Sequence, residues 1–268
     1  MSAQYIFEEF NGEEVTKTML HALDRATHAH PEGPSQLASY SPDALAGAAL
    51  AAASAPEVQS HVLTEIGRVL SNRESPPPRF SPKALTKILW AFAAAAHSDP
   101  EALLWLAEHV AACAEELTAE QLAQCFAAAA ELQLEHEPML MAMSIQLMWR
   151  VDQLSARSLG RVAVSCAKLD YRKQPFLDWL ASRMSLREDR TLGDVSAMVW
   201  AWSKLSVQSV ALCRTAALDA SKEELTEEEH ARLLLAFGTP HLEFPSQGLP
   251  RPLFHPSLSG AESVCKPL

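Results

Sequence analysis

Glycine is scarce, nine in 268 residues, and the chain has no run of β-branched residues. Ala, Leu, Glu, Gln and Met fill the stretches between breaks instead. That balance excludes a sheet-based fold and predicts an all-α one. Paired cysteines are missing too: Cys113, Cys125, Cys166, Cys213 and Cys265 are odd in number and have no close spacing. Four of them fall in expected helices, where a small buried thiol is the ordinary role, so a reducing compartment is expected. The longest Ala-rich run, Ala44 to Ala55, is too short and too weakly apolar to span a bilayer, so no membrane partner is expected.

Positive charge is also in short supply. Lys and Arg number 22 against 33 Asp and Glu, for a net charge of −11 and a pI near 5.4. Non-specific nucleic-acid binders carry the opposite balance, so any RNA site has to be a local face. The first ten residues hold acids where a transit peptide would hold arginines, and they do not form a signal peptide. The expectation is a cytosolic or nuclear protein, or one whose presequence is missing. No phosphate-cradling Gly-rich loop, zinc-binding His-Glu-x-x-His, nucleophile elbow or paired-Cys motif occurs. His28 and His30 are too sparse for a metal site. A non-enzyme without metal or cofactor is expected.

What the chain does have is a repeat. The stretch from Ser81 to Ala96 recurs in weaker copies, with anchors at Leu50, Trp90, Ala127, Val164, Trp200 and Leu235, in steps of 40, 37, 37, 36 and 35 residues. Nine residues before each anchor stands a hydroxyl residue: Ser41, Ser81, Thr118, Ser155, Thr191 and Thr226. A hydroxyl oxygen there accepts a first-turn N–H and marks a helix start. The residues before the caps are Tyr40, Phe80, Leu117, Leu154, Arg190 and Leu225. Five positions further on come Leu45, Leu85, Leu122, Leu159, Val195 and His230, the spacing of a hydrophobic staple. Gln121 and Glu229 stand where a capping box needs them.

A second helix follows each anchor helix, often with a proline near its start (Pro56, Pro100, Pro138, Pro175), where the missing N–H is harmless. The expected spans are 57–71, 101–116, 139–152, 176–186 and 207–222. Anchor helices apolar on two sides must be sandwiched, and hairpins that cannot cover their own apolar surface bury it on the next. The predicted fold is therefore an α-solenoid of about five to six helical hairpins of ~37 residues spanning residues 41–240. Residues 1–40 would supply an N-terminal extension with a capping helix near Glu13–His28. Residues 241–268, with five prolines, would form an irregular tail.

The anchor motifs Leu85-Thr-Lys-Ile-Leu-Trp-Ala-Phe-Ala93 and Val195-Ser-Ala-Met-Val-Trp-Ala-Trp-Ser-Lys-Leu205 resemble those of octotricopeptide and heptatricopeptide repeat proteins. These are α-hairpin solenoids related to the leucine-rich region of FAST-kinase-type proteins. The resemblance covers about residues 41–240. The 28-residue tail cannot hold the small RAP domain with which many relatives end. The resemblance implies an organellar setting, the mitochondrion first and the cytosol as the alternative. It also implies work in RNA metabolism or in a ribonucleoprotein such as a mitochondrial ribosome, with RNA along the solenoid's inner face.

On each anchor helix the positions seven before, three before and four after the anchor share the anchor's side. Across six repeats, seven of these eighteen positions are basic: Lys83, Lys87, Arg157, Arg161, Lys168, Lys204 and Arg232. That enrichment is what a phosphate-tracking stripe requires. Lys168 and Lys204 could instead complement helix carbonyl ends, but Lys83 and Arg157 lie in first turns, where a cation is unfavourable. Trp90 and Trp200 are expected to be buried between repeats, with base stacking as their other possible use. Two functions remain open: an RNA-facing subunit, or a scaffold whose acidic surface meets basic proteins of a large complex. A continuous positive groove would favour RNA.

Overall fold

The computed structural model describes residues 37, 40–54, 59–72, 79–150 and 153–220, with four further positions, 226, 227, 229 and 233. Among the described residues there are ten α-helices and no strand. The anchor helices are α1 (Pro42–Ala53), α3 (Pro82–Ala94), α5 (Ala119–Glu131), α7 (Ala156–Lys168) and α9 (Leu192–Leu205). Between and after them lie α2 (Gln59–Ser71), α4 (Pro100–Ala112), α6 (Glu137–Trp149), α8 (Gln174–Leu186) and α10 (Val210–Ala220). The expected capping helix, most of the sixth repeat and the tail lie outside the described residues.

Each anchor helix begins where its hydroxyl cap stands. Ser41, Ser81, Thr118, Ser155 and Thr191 each accept the N–H of the third helical residue. Gln121 closes a capping box on Thr118, and Glu229 bonds back to the Thr226 N–H at 2.9 Å. The second helices start differently. Asp99 caps α4, the His136 ring caps α6, and Lys173 gives α8 no side-chain cap. Their bounds also differ from the expected ones: α4 ends at Ala112, α8 begins two residues earlier at Gln174, and α10 begins three residues later at Val210.

The anchor helices stack α1–α3–α5–α7–α9 in one layer, and the second helices stack α2–α4–α6–α8–α10 in another. Partners within a hairpin, such as α1 with α2 or α9 with α10, join the two layers. Leu85, Ile88, Leu89 and Phe92 of α3 are buried in this sandwich, and so are Leu122, Cys125 and Phe126 of α5. Small side chains let the anchor layer close up. A Cβ on Gly160 would sit 3.3 Å from the Asp194 carbonyl oxygen across the α7–α9 contact. The staple residues behave as the spacing predicts at Leu117, Leu122, Leu154 and Leu159, all buried. Arg190 departs from it and is held instead by an ion pair to Asp219 on α10.

Four anchor helices end in the same way. Ala96, Gln133, Asp170 and Ser206 all have positive φ, between 48° and 55°, six residues after their anchors. The N–H that follows each one reaches back to a carbonyl of the last turn: His97 to Phe92, Leu134 to Ala129, Tyr171 to Cys166, and Val207 to Trp202, at 2.9–3.0 Å. This is a Schellman closure repeated at the solenoid's period. None of the four residues is glycine, the residue that normally signals it, so the sequence hides it. Ala96→Gly is expected to raise stability by about 0.5–1 kcal/mol, because relief of left-handed strain slightly outweighs the added freedom of the unfolded chain. Urea midpoints of the two proteins at equal m-value check it.

The burial of the anchors corrects one expectation. Trp90 is buried, at 3% exposure, but Trp200 is only half-buried. The indole sealed in the core of that repeat belongs to Trp202, at 1% exposure. The reason is rotational: two residues further along a helix is about 200°, which turns the side chain from the open side of the anchor layer into the stack.

Candidate nucleic-acid interface

The side of the anchor layer turned away from the second helices carries the positions named from the sequence. Lys83, Arg157, Lys168 and Lys204 are exposed there, while Lys87 and Arg161 are half-buried. Arg232, the seventh predicted residue, lies outside the described side chains. The structure thus brings six of the seven cations to one face. Asp43, Glu120 and Glu131 share it, so the described positions hold six cations against three carboxylates. A face with a surplus of positive charge on a chain of charge −11 means that the acids are concentrated elsewhere. Many stand on the second-helix layer and its loops, such as Glu101, Glu108, Glu115, Glu116 and Glu135.

The cations do not form one unbroken row. α3 carries Lys83 and Lys87, and α7 carries Arg157, Arg161 and Lys168; α5 between them contributes Glu120, Gln124 and Glu131. The two α5 acids are engaged by α7. The Ser158 hydroxyl lies 2.7 and 2.9 Å from the two Glu120 carboxylate oxygens, and Lys168 pairs with Glu131 at 2.6 Å. Lys168 therefore answers a carboxylate of the preceding repeat rather than the carbonyl end of its own helix. Both partners are more than a third exposed, so this pair contributes at most about 1 kcal/mol. Lys204 lies with its ammonium 6.0 Å from the centre of the half-buried Trp200 ring, one turn earlier on α9. An aromatic face and a cation on one turn are the two elements that single-strand readers combine.

Other chemistry on the described chain is sparse. Cys125 is fully buried and its thiol points to the Thr86 hydroxyl at 3.7 Å; burial pushes that thiol up to about 12. Burial also raises the Cys166 thiol, and it raises Cys113 to about 11. At neutral pH these are protonated thiols with no nucleophilic character. Among the described residues, no group of three or more His, Cys, Asp or Glu stands together as a metal site. No described helix is long and apolar enough to cross a membrane.

Sequence reasoning located the basic positions through the repeat register, since each is a fixed offset from a cap. It missed the half-exposed Trp200–Lys204 pair, because helical periodicity alone does not say which of two neighbouring tryptophans, Trp200 or Trp202, faces the stack. Among curated proteins none matches the chain. A family model described as "RNA-editing substrate-binding complex 6 protein" matches residues 63–211, more than half of the chain and from within α2 to the start of α10. The matched span takes in most of the two-layer stack, and the chain belongs to the RNA-editing substrate-binding complex 6 protein family.

Proposed function

We propose that this protein is a non-enzymatic, RNA-facing subunit of an organellar ribonucleoprotein, with the anchor-helix face as its RNA contact. The observation that carries the reading is the charge inversion of that face, six cations against three carboxylates on a chain of charge −11. Pairing between repeats, as in Lys168 with Glu131, does not require cations to outnumber carboxylates on one side of one layer. Single-stranded nucleic acid supplies the matching charge. The family description, which names an RNA-editing substrate-binding complex, supports the same ligand class. It favours an assembly of that kind over the mitochondrial ribosome suggested by the octotricopeptide and heptatricopeptide likeness, and that likeness stays part of the proposal. The mitochondrion is the proposed compartment.

Lys87 and Arg161 lie at the same register on α3 and α7, two stacked helices apart, or roughly 16–20 Å. An extended strand can meet both clusters while passing the engaged acids of α5. The test is fluorescence anisotropy of a labelled single-stranded RNA of about 20 nucleotides, long enough to cover several repeats. Lys87→Glu with Arg161→Glu should weaken binding at least about tenfold and flatten the slope of log affinity on log salt by about 1.4, two single-strand contacts' worth. Equal binding by both proteins, or none by wild type, would retire the RNA reading in favour of a protein scaffold. Trp200→Ala should separate stacking from charge: weaker binding with an unchanged salt slope.

A further inference from the structure

The large apolar side chains left exposed are all on the second-helix layer, opposite the cationic face: Leu104, Met141, Ile145, Trp149, Leu186, Val210 and Leu218 among the described residues. They are not scattered evenly. Met141, Ile145 and Trp149 follow one another on α6 at intervals of four residues, 48%, 41% and 81% exposed. Four-residue spacing aligns side chains along one side of a helix, so α6 turns an apolar stripe outward for more than two turns. The remaining exposed residues of α6 are Glu137 and Pro138 at its first turn, so no charge interrupts the stripe. A solenoid helix whose outward face is solvated normally carries charge there.

The neighbours of the stripe carry charge of one dominant sign. α4 exposes Glu101 and Glu108 on either side of Leu104, and α8 exposes Asp178. The cations nearby are mostly committed. Lys173 pairs with Glu137 at 2.6 Å, and Arg150 bonds to the Gln146 side chain at 2.8 Å and to the Glu115 carbonyl. Arg183 on α8 is half-buried.

We propose that this outward face of α6 docks a basic amphipathic helix from a partner protein, with Met141, Ile145 and Trp149 against its apolar side and the carboxylates of α4 and α8 against its cations. An exposed tryptophan flanked by aliphatic side chains is the composition of an interface centre, and a helix laid along a helix reads such a stripe through its own residues at four-residue spacing. The acidic rim selects the occupant. A second copy of this chain would set carboxylates against carboxylates, and an anionic lipid surface would be repelled by the same groups. The inference stands on a surface separate from the proposed RNA face. The protein would then join RNA on one layer to a protein subunit on the other.

The test uses the full chain and two synthetic peptides of about 18 residues, five helical turns, sharing one leucine face but carrying lysine or glutamate on the other. The lysine peptide is expected to bind saturably at one site and the glutamate peptide at least about tenfold more weakly. Met141→Ser, Ile145→Ser and Trp149→Ser combined should reduce lysine-peptide binding by at least about tenfold. Glu101→Lys with Glu108→Lys should reverse the peptide preference. Should the triple variant lose helicity by circular dichroism, Trp149→Ser alone, at the most exposed position, gives the reading. Undiminished lysine-peptide binding by the stripe variants would mean general attraction to an acidic chain and would overturn the proposal. So would a wild-type dimer that becomes monomeric in the triple variant, which would make the occupant a second copy. Lys87→Glu with Arg161→Glu should leave peptide binding unchanged, so this result and the RNA result fail independently.

Discussion

Trp202→Ala is expected to cost about 3–5 kcal/mol, as large aromatic truncations in a core do, while Trp200→Ala, two residues away, costs about 1 kcal/mol or less. Both residues lie on α9, so helix propensity and local context are nearly constant between the variants. What differs is burial. Trp202 is 1% exposed in the stack, whereas Trp200 lies half-open beneath Lys204. The cavity left by Trp202 would open beside the closure in which its own carbonyl accepts the Val207 N–H, so the turn into α10 should loosen as well. The Trp202 indole N–H is buried without a hydrogen-bond partner. Trp202→Phe therefore gives up area but no hydrogen bond and removes an unsatisfied donor, and it should cost only about 1–2 kcal/mol. Urea denaturation followed by circular dichroism measures all three. A Trp200→Ala loss as large as that of Trp202→Ala would reverse the assignment of core and surface.

The second large effect concerns Arg190. Its guanidinium bonds to Asp219 at 2.7 and 3.2 Å and also to the carbonyls of Ser185, at 3.5 Å, and Arg187. The side chains are 21% and 12% exposed, so the pair is largely removed from water. It ties the corner between α8 and α9 to α10, at the place where the other repeats use an apolar staple. Arg190→Ala removes the ion pair to the largely buried Asp219 carboxylate together with the bonds to the Ser185 and Arg187 carbonyls, and should cost about 3 kcal/mol. Replacing both partners, Arg190→Leu with Asp219→Leu, should recover most of it, because an apolar pair of similar volume removes the desolvation cost along with the attraction. Amide exchange would locate the damage. Protection should fall first in α10, the outermost described helix, and last in α3 to α7. A double variant no better than Arg190→Ala would mean that the bonds to the carbonyls matter more than the ion pair.

The sequence by itself determined the period, the starts of the anchor helices, their two-sided burial and the register of the basic positions. These were legible because capping and staple interactions reach only three to five residues. Ser81 can accept from the Ala84 N–H whatever the rest of the chain does. The face that carries Lys83, Lys87, Arg157, Arg161, Lys168 and Lys204 followed from helical geometry alone. Tertiary structure decided the rest, because it depends on contacts across a repeat of about 37 residues. Only stacking placed Trp202 inside and Trp200 at the open side, and set Lys168 against Glu131 from the preceding hairpin. Only the structure shows that Ala96, Gln133 and Ser206 close their helices in a left-handed conformation that their side chains do not favour, because no glycine marks the turn. The Met141–Ile145–Trp149 stripe was equally hidden. An apolar side chain at helical spacing reads as core until the neighbouring helices are in place, and here α4 and α8 pack beside α6 without covering it.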